Sequence, residues 1–475
     1  MTPTMQAKQN LATDAYVPHH DGTGWNEAAF VTALRAQLRE EVRAMVSGRL
    51  LEVRGNQVKV GGIPMSIGMA CRLTRPGWGA DVLGEVVGLE RDMAIVTLLG
   101  NVTGLGTESR VFALADGHTL TVGDTLLGRV LDGLGQPLDD GEPLTGGTSR
   151  STLAAPPSAL CRPLIRAPMP TGIRAVDSFL TVGVGQRLGI FAPAGAGKST
   201  LLAEIVKGVP ERICVLALIG ERGREVQEFL TEALTAAQRE HAVLVVATSD
   251  RSSLERIKAA YTATTIAEYF RDQGHDVLLL LDSATRFARA LRETGLAAGE
   301  HPVRRGYPPS VFAALPRLVE RAGPAPVGSI TAFYTVLLED AETVDPIGEE
   351  LRSLLDGHIT LSQALAGRGH YPAIDIGQSV SRLMPHLLDR ETLATAARAR
   401  AWLAKYQDAE LLLQIGEYKP GADPELDRAV RAWPLLSRYL QQGLSETTSF
   451  DDARRLLRDI VVACDAEPVG AHDHG

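Results

Sequence analysis

The stretch RLGIFAPAGAGKSTLLAEIV, residues 187–206, decides the fold. Ile190 and Phe191 end an apolar run, Gly195 and Gly197 permit a tight turn, and Ser199 and Thr200 open a helix-forming segment from Leu201 to Val206. Strand, glycine turn and helix in that order put bare backbone amides, from Gly195 through Ala196 and Gly197 to Thr200, at a helix N-terminus. The helix dipole there favours an anion. Lys198 is spaced to reach the β- and γ-phosphates of a nucleoside triphosphate, and the Ser199 hydroxyl to bind Mg2+. Ala192 stands where such a loop carries its first glycine. Alanine can end a strand as long as φ stays negative, so the departure is minor. Just upstream, GVGQRLG (183–189) imitates a dinucleotide fingerprint, but it precedes the strand instead of following it and reads as the turn into it.

Further apolar runs alternate with helical stretches: Arg187 to Phe191, Ile213 to Ile219, Val243 to Thr248, Val277 to Asp282 and Ser329 to Val336. Near-continuous runs of this kind suit a parallel sheet buried on both faces, whose ligands collect at the carboxyl ends of the strands. ICVLALIGERGREV stops at Gly220 and presents Glu221, placed to polarise an attacking water. The competing reading is a surface ion pair with Arg222 or Arg224. DVLLLLDSATRFARAL runs four leucines into Asp282, a carboxylate placed to hold Mg2+ through water. Buried there without a cation, it would be costly. Charge developing on a γ-phosphate also calls for an arginine, and GHYPAIDIGQSVSRLM supplies Arg382. Spacing leaves open whether Arg382 serves its own site or a neighbour's.

With 475 residues, 45% of them hydrophobic and 22% charged, the chain is an ordinary globular protein of about three domains. A net charge of −9 argues against a general nucleic-acid coat. Cys71, Cys161, Cys214 and Cys464 lie far apart, which indicates reduced thiols in a cytosolic protein. No signal peptide or membrane-spanning run is visible. Residues 1–47 read as a loose tail followed by a helix, in which Val31, Leu34, Leu38, Val42 and Met45 recur at helical spacing. From 48 to 118, short apolar runs between glycine-rich turns predict a small β-barrel. Trp78 and Phe112 are the only aromatics there, too few for a nucleic-acid stacking platform. The stretch 119–387, containing a Pro-rich linker at 154–170, is assigned to the nucleotide-binding domain. Residues 388–475 read as a helical domain broken by GEYKPGADP and closed by a disordered tail. The fold class is therefore α/β: an N-terminal barrel, a central RecA-like domain with a parallel sheet, and a C-terminal helical domain.

These pieces together resemble the rotary-type hexameric ATPases related to the catalytic subunit of ATP synthase, and among them the type III secretion and flagellar export ATPases. The resemblance rests on TGIRAVDSFLTVGVGQRLGIFA, GERGREV, LDSATRFARA, GYPPSVFAALPRLVERAG, SLLDGHITLS, RGHYPAIDI and IGEYKPGADPELD, over roughly residues 170–430. It implies a homohexamer with nucleotide sites between subunits and ATP with Mg2+ as ligands. Lys198, Ser199 and Thr200 match the phosphate-binding loop, Glu221 the catalytic glutamate, Asp282 the magnesium carboxylate and Arg382 an arginine finger reaching the neighbouring site. Arg222 would lie near the γ-phosphate and Tyr371 would stack on adenine, with Tyr418 as a weaker addition to that pocket. GEHPVRRGYPPSVF looks like the family's loop around the central hole. The implied partners are a coiled-coil central stalk protein, a stator or regulator at the N-terminal region, export chaperones and their cargo, and an inner-membrane export gate. The implied location is the cytoplasmic side of the inner membrane, held there peripherally.

Within this resemblance the virulence-type secretion motor is preferred over the flagellar one. From other classes, a hexameric RNA helicase of the transcription-terminator type shares the barrel and the RecA-like domain. A non-catalytic ring subunit would not need Lys198, Glu221 and Asp282 intact.

Overall fold

The computed structural model describes residues 47–114, 119–338, 345–444 and 446–466. The chain divides into a short unit, Met1–Ser47, and a large one, Gly48–Gly475. The helix expected between residues 31 and 45, and the tail after residue 466, lie outside the described residues.

The barrel comprises β1 (Ser47–Arg54), β2 (Gln57–Gly61), β3 (Ala70–Leu73), β4 (Val82–Glu90), β5 (Met93–Leu98) and β6 (Arg110–Ala113), closed in the order β1-β2-β5-β4-β3-β6. Alternation drives it: Val58 and Val60, Val86, Val96 and Leu98, and Val111 point inward to a core of their own, while polar neighbours face out. Next come β7 (Thr119–Val122), β8 (Val130–Asp132) and β9 (Thr148–Ser151), with β7 and β9 forming a two-stranded sheet. The Pro-rich linker has one short 3-10 turn, Ala159–Cys161, and no strand or longer helix. Its Arg162 guanidinium is tied to the carbonyls of Ala322 and Glu320.

The central sheet holds β10 (Arg187–Pro193), β11 (Cys214–Ile219), β12 (Ala242–Ala247), β13 (Asp276–Asp282), β14 (Gly323–Pro324), β15 (Ser329–Leu338), β16 (Gly357–Leu361) and β17 (Ile374–Ser381). Its order is β17-β16-β10-β15-β13-β11-β12-β8, with β14 alongside β15. All residues of β11 and β12 are buried. The reason is the two-residue period of a strand. Leu216, Leu218, Leu244 and Leu280 enter one core with the helix Lys198–Lys207 and the C-terminal helices. Val215, Ala217, Val245 and Leu281 enter another, under the helices Ser253–Asp272, Ala284–Ala297 and Pro309–Val319. A strand covered on both faces has no polar side to show, which is why these segments read as unbroken apolar runs.

β17 differs: it pairs antiparallel with β16, Gly357 opposite Ser381 and Leu361 opposite Ile374. The helices Arg390–Gln414, Pro424–Leu440 and Phe450–Ala466 follow it. Trp402 is buried between them, and Tyr406 stacks on Trp433 at 4.2 Å. Arg400 anchors the bundle to the sheet domain by donating to the carbonyls of Phe179 (3.0 Å) and Ser379 (3.1 Å). Among the described residues no helix is long and apolar enough to cross a membrane, and no two of the four cysteines form a disulfide.

One buried ion pair ties the linker region to the outer helix layer. Arg321 is 1% exposed; its guanidinium donates to Glu268 Oε1 (2.9 Å) and Oε2 (2.5 Å), the Thr152 carbonyl (2.6 Å) and Thr265 Oγ1 (2.9 Å). Removing one partner strands the other charge away from water. Arg321→Met is therefore expected to lower the unfolding free energy by about 3–5 kcal/mol, and adding Glu268→Met to recover part of that loss. Chemical denaturation of the two variants checks it. A single variant as stable as the parent chain would contradict it.

Candidate functional site: a phosphate loop facing two carboxylates

β10 ends at Pro193, and the helix Lys198–Lys207 begins after two glycines held at φ +78° (Gly195) and +86° (Gly197). A Cβ at Gly195 would meet open space, so backbone conformation alone demands glycine there. Ala192 sits inside β10, and the only described non-glycine residues with positive φ are Arg91 and Arg305, so alanine fits its position without strain. Ser199 and Thr200 are exposed at the helix start.

The parallel strands on the same side of the sheet end close by. β13 ends in Asp282, 4% exposed, and β11 leads through Gly220 (φ +67°) to Glu221, 5% exposed. Lys198 Nζ lies 3.1 Å from Glu221 Oε1 and also pairs with Asp282 Oδ1. Thr335 of β15 donates to Asp282 Oδ1 at 2.6 Å, and Arg286 Nη2 meets Glu221 Oε2 at 3.1 Å. Two buried carboxylates thus face two cations. Glu221 is no surface ion pair with Arg222 or Arg224. Those side chains are 77% and 72% exposed and turn to Glu225 (3.7 Å) and Glu228. Burial pushes the Glu221 carboxyl above the ordinary glutamate range; Lys198 and Arg286 oppose that and Glu225 adds to it.

A cavity of about 690 Å³ opens beside the loop, lined among others by Gly197, Thr200, Tyr371, Gln441 and Gln442. That is the size of a pocket for a nucleotide-sized ligand. Tyr371 closes one wall, its ring within 3.7 Å of where a Gly197 side chain would begin. The Gln442 amide donates to the Tyr371 carbonyl at 2.9 Å, so the segment after the helix Pro424–Leu440 builds part of the pocket. Tyr418 is elsewhere, its hydroxyl donating to Asp427 at 2.6 Å.

Arg382 is not brought to this cluster. Its N–H donates to the Asp356 carbonyl at 3.0 Å, and the Asp356 N–H donates in turn to the Arg187 carbonyl at 2.9 Å. Arg382 is therefore level with the first residue of β10, whereas Lys198 follows its last. Six strand residues at ~3.3 Å each separate them, about 20 Å.

Arg286, Gln441 and Gln442 went unread in the sequence. Arg286 had a faint signal, four residues beyond Asp282 on the following helix. The glutamines had none, because they reach the pocket only through the packing of the helical domain.

Glu221→Gln keeps shape and one acceptor, so the unfolding free energy is expected to stay within about 1 kcal/mol at pH 7. A raised carboxyl pKa means that the folded state holds its proton more tightly than the unfolded one. The native chain should then lose stability relative to Glu221→Gln as pH rises above the ordinary 4.5. Denaturation across pH checks this. A gap moving the opposite way would mean that Lys198 and Arg286, not burial, govern the carboxyl.

Comparison with known proteins follows this division of the chain. Residues 172–381 match the ATP synthase alpha/beta family, nucleotide-binding domain, residues 46–114 its beta-barrel domain, and residues 388–459 the T3SS EscN ATPase C-terminal domain. A type 3 secretion system ATPase of Xanthomonas euvesicatoria is 47% identical over 431 residues, 90% of this chain and 98% of that protein. A flagellum-specific ATP synthase of Bacillus subtilis is 44% identical over 87% of this chain and 94% of its own length. The assembled ATPase EscN of the enteropathogenic E. coli type III secretion system superposes with a TM-score of 0.83 at 47% identity, covering 87% of this chain and 100% of that one. EscN in complex with its central stalk EscO gives 0.80 at 46% identity over the same shares.

Proposed function

The chain belongs to the type 3 secretion system ATPases and is itself an ATPase, and from that premise we propose that it is the motor of a type III protein secretion apparatus. It couples ATP hydrolysis to release of chaperones from cargo and to unfolding and export of that cargo. Its relatives give the RNA-helicase reading no support. The C-terminal match to the T3SS EscN ATPase and the superposition on EscN favour the virulence-type system.

The observation that carries the mechanism is the separation of Arg382 from Lys198. With its backbone about 20 Å along the sheet from the end of β10, Arg382 is further from a phosphate on its own chain's loop than its side chain can span. It can meet one held by a neighbour, so the working unit is a ring, a homohexamer with sites at its seams. On nucleotide arrival Lys198 exchanges its carboxylate partners for the β- and γ-phosphates, cradled by the amides of Gly195, Ala196, Gly197 and Thr200. With its Oε1 released by Lys198 and its Oε2 still held by Arg286, Glu221 orients and polarises the attacking water. Ser199, exposed at the helix start, and the buried Asp282 offer oxygen donors of the kind Mg2+ takes and would hold the ion. The ion supplies charge neutralisation at the phosphates. Tyr371, 45% exposed at the cavity wall, stacks on the adenine. Arg222 leaves its loose contact with Glu225 for the γ-phosphate, and Arg382 of the adjoining subunit meets the charge that develops there.

EscN is described as assembled and as complexed with its stalk EscO. By that likeness a coiled-coil stalk engages this chain's ring near the loop after the helix Ala284–Ala297. There Val303 is 65% exposed and Arg304 is pinned to Glu349 at 2.7 Å. A stator at the N-terminal region and an export gate hold the ring at the cytoplasmic face of the inner membrane.

Lys198→Ala is expected to abolish nucleotide binding. Arg382→Ala is expected to keep the nucleotide Kd within about threefold while kcat falls about 10³-fold or more, because its charge is needed only in the transition state. Equilibrium binding and steady-state turnover measure both. A loss of affinity in Arg382→Ala matching its loss of turnover would contradict the assignment.

A further inference from the structure

Arg382 is held by two carbonyls, and the second exposes a device inside the protomer. Its Nη2 donates to the carbonyl of Arg352 at 3.1 Å. Arg352 lies in the last turn of the helix Pro346–Leu354, where carbonyls have no helical N–H to accept from. The amide four residues on, Asp356 N–H, is turned to Arg187 instead, because the chain bends there into β16. The Arg382 guanidinium fills that gap and sits at the negative end of the helix dipole.

The Arg352 side chain reaches the other way. Its guanidinium lies over the Phe191 ring, 4.6 Å from the centroid. Phe191 is fully buried and is the third-last residue of β10, the strand that carries the phosphate loop. His358 meets the same ring edge-on at 5.6 Å, its Nε2 3.0 Å from the Gln378 carbonyl. Burial, then the charges of Arg352 and Arg382, hold the His358 pKa below its ordinary value, so the imidazole is neutral beside the two guanidiniums. Asp356, the acid of this turn, is engaged by Arg187 at 3.1 Å. At the helix end the Arg352 cation on the ring thus adds to the Arg187–Asp356 ion pair of the turn.

We propose that Arg352 is a positioning residue for Arg382: clamped on Phe191, it fixes the helix end whose carbonyl aims the guanidinium that one protomer lends to the next. Movement of β10 when its own loop takes up phosphate then passes through Phe191 and Arg352 to Arg382, linking a protomer's own site to the site it completes. This rests on the seam reading above.

The test sorts variants by which side of the seam they damage. Arg352→Gln is expected to keep ring assembly and a nucleotide Kd within about threefold while kcat falls about tenfold to thirtyfold at nearly constant KM. Arg352→Lys, which keeps a cation for the ring, should recover most of that turnover. In co-assembled rings, Arg352→Gln mixed with Lys198→Ala should regain turnover above the sum of the two alone, because some seams then join an intact Lys198 to an intact Arg382. Mixed with Arg382→Ala it should regain none. Arg352→Met, which keeps the stem without the charge, gives the same sorting should the glutamine variant not assemble. Rescue by Arg382→Ala instead of Lys198→Ala, loss of nucleotide affinity, or unchanged turnover would each overturn the proposal. The control mixture of Lys198→Ala with Arg382→Ala separates the two levels. Its failure removes the seam itself, whereas its success with wrong sorting of Arg352 removes only the positioning role.

Discussion

A parallel sheet gathers its functional groups at one end, and β17, antiparallel to its neighbour β16, breaks that rule in this chain. β10, β11 and β13 all deliver their last residues to the same edge, so Lys198, Glu221 and Asp282 converge without any long-range design beyond strand order. β17 runs the other way. The chain leading into it passes Tyr371 at the phosphate-loop edge, and the chain leaving it presents Arg382 at the far edge. One strand therefore places Tyr371 and Arg382 at opposite edges of the sheet. The proposed splitting of the catalytic machinery between protomers rests on that strand direction together with the fixed rise of about 3.3 Å per residue.

At the near edge the electrostatics are balanced before any ligand arrives. Glu221 and Asp282 are buried, and Lys198 and Arg286 answer them. Burying such a cluster costs desolvation that pairing offsets only when geometry is good. In the proposed function the cluster is a switch with a clear sense: phosphate would compete with two carboxylates for one ammonium. Lys198 would then release one oxygen of Glu221, whose proton affinity burial has already raised, while Arg286 keeps the other in place.

Most of this architecture was legible in the sequence, for a physical reason. Strands covered on both faces, such as Cys214–Ile219 and Ala242–Ala247, have no polar residues to blur the reading, and the phosphate loop depends on local backbone alone. What depends on register was not legible. Spacing could not tell which site Arg382 serves, whereas the pairing of Gly357 with Ser381 bears directly on it. Arg286, Gln441, Gln442 and the stacking of Arg352 on Phe191 arise from elements distant in sequence that meet only in the packed chain. The buried pair of Lys258 with Glu85, which joins the barrel to the helix Ser253–Asp272, gave no signal for the same reason.

The central claim is that no single chain holds a complete site. Turnover per chain, measured across a dilution series alongside the assembled fraction from sedimentation, tests it most directly. Turnover per chain should rise with concentration in step with assembly and vanish where only monomers remain. A constant turnover per chain down into the monomer range would contradict the account.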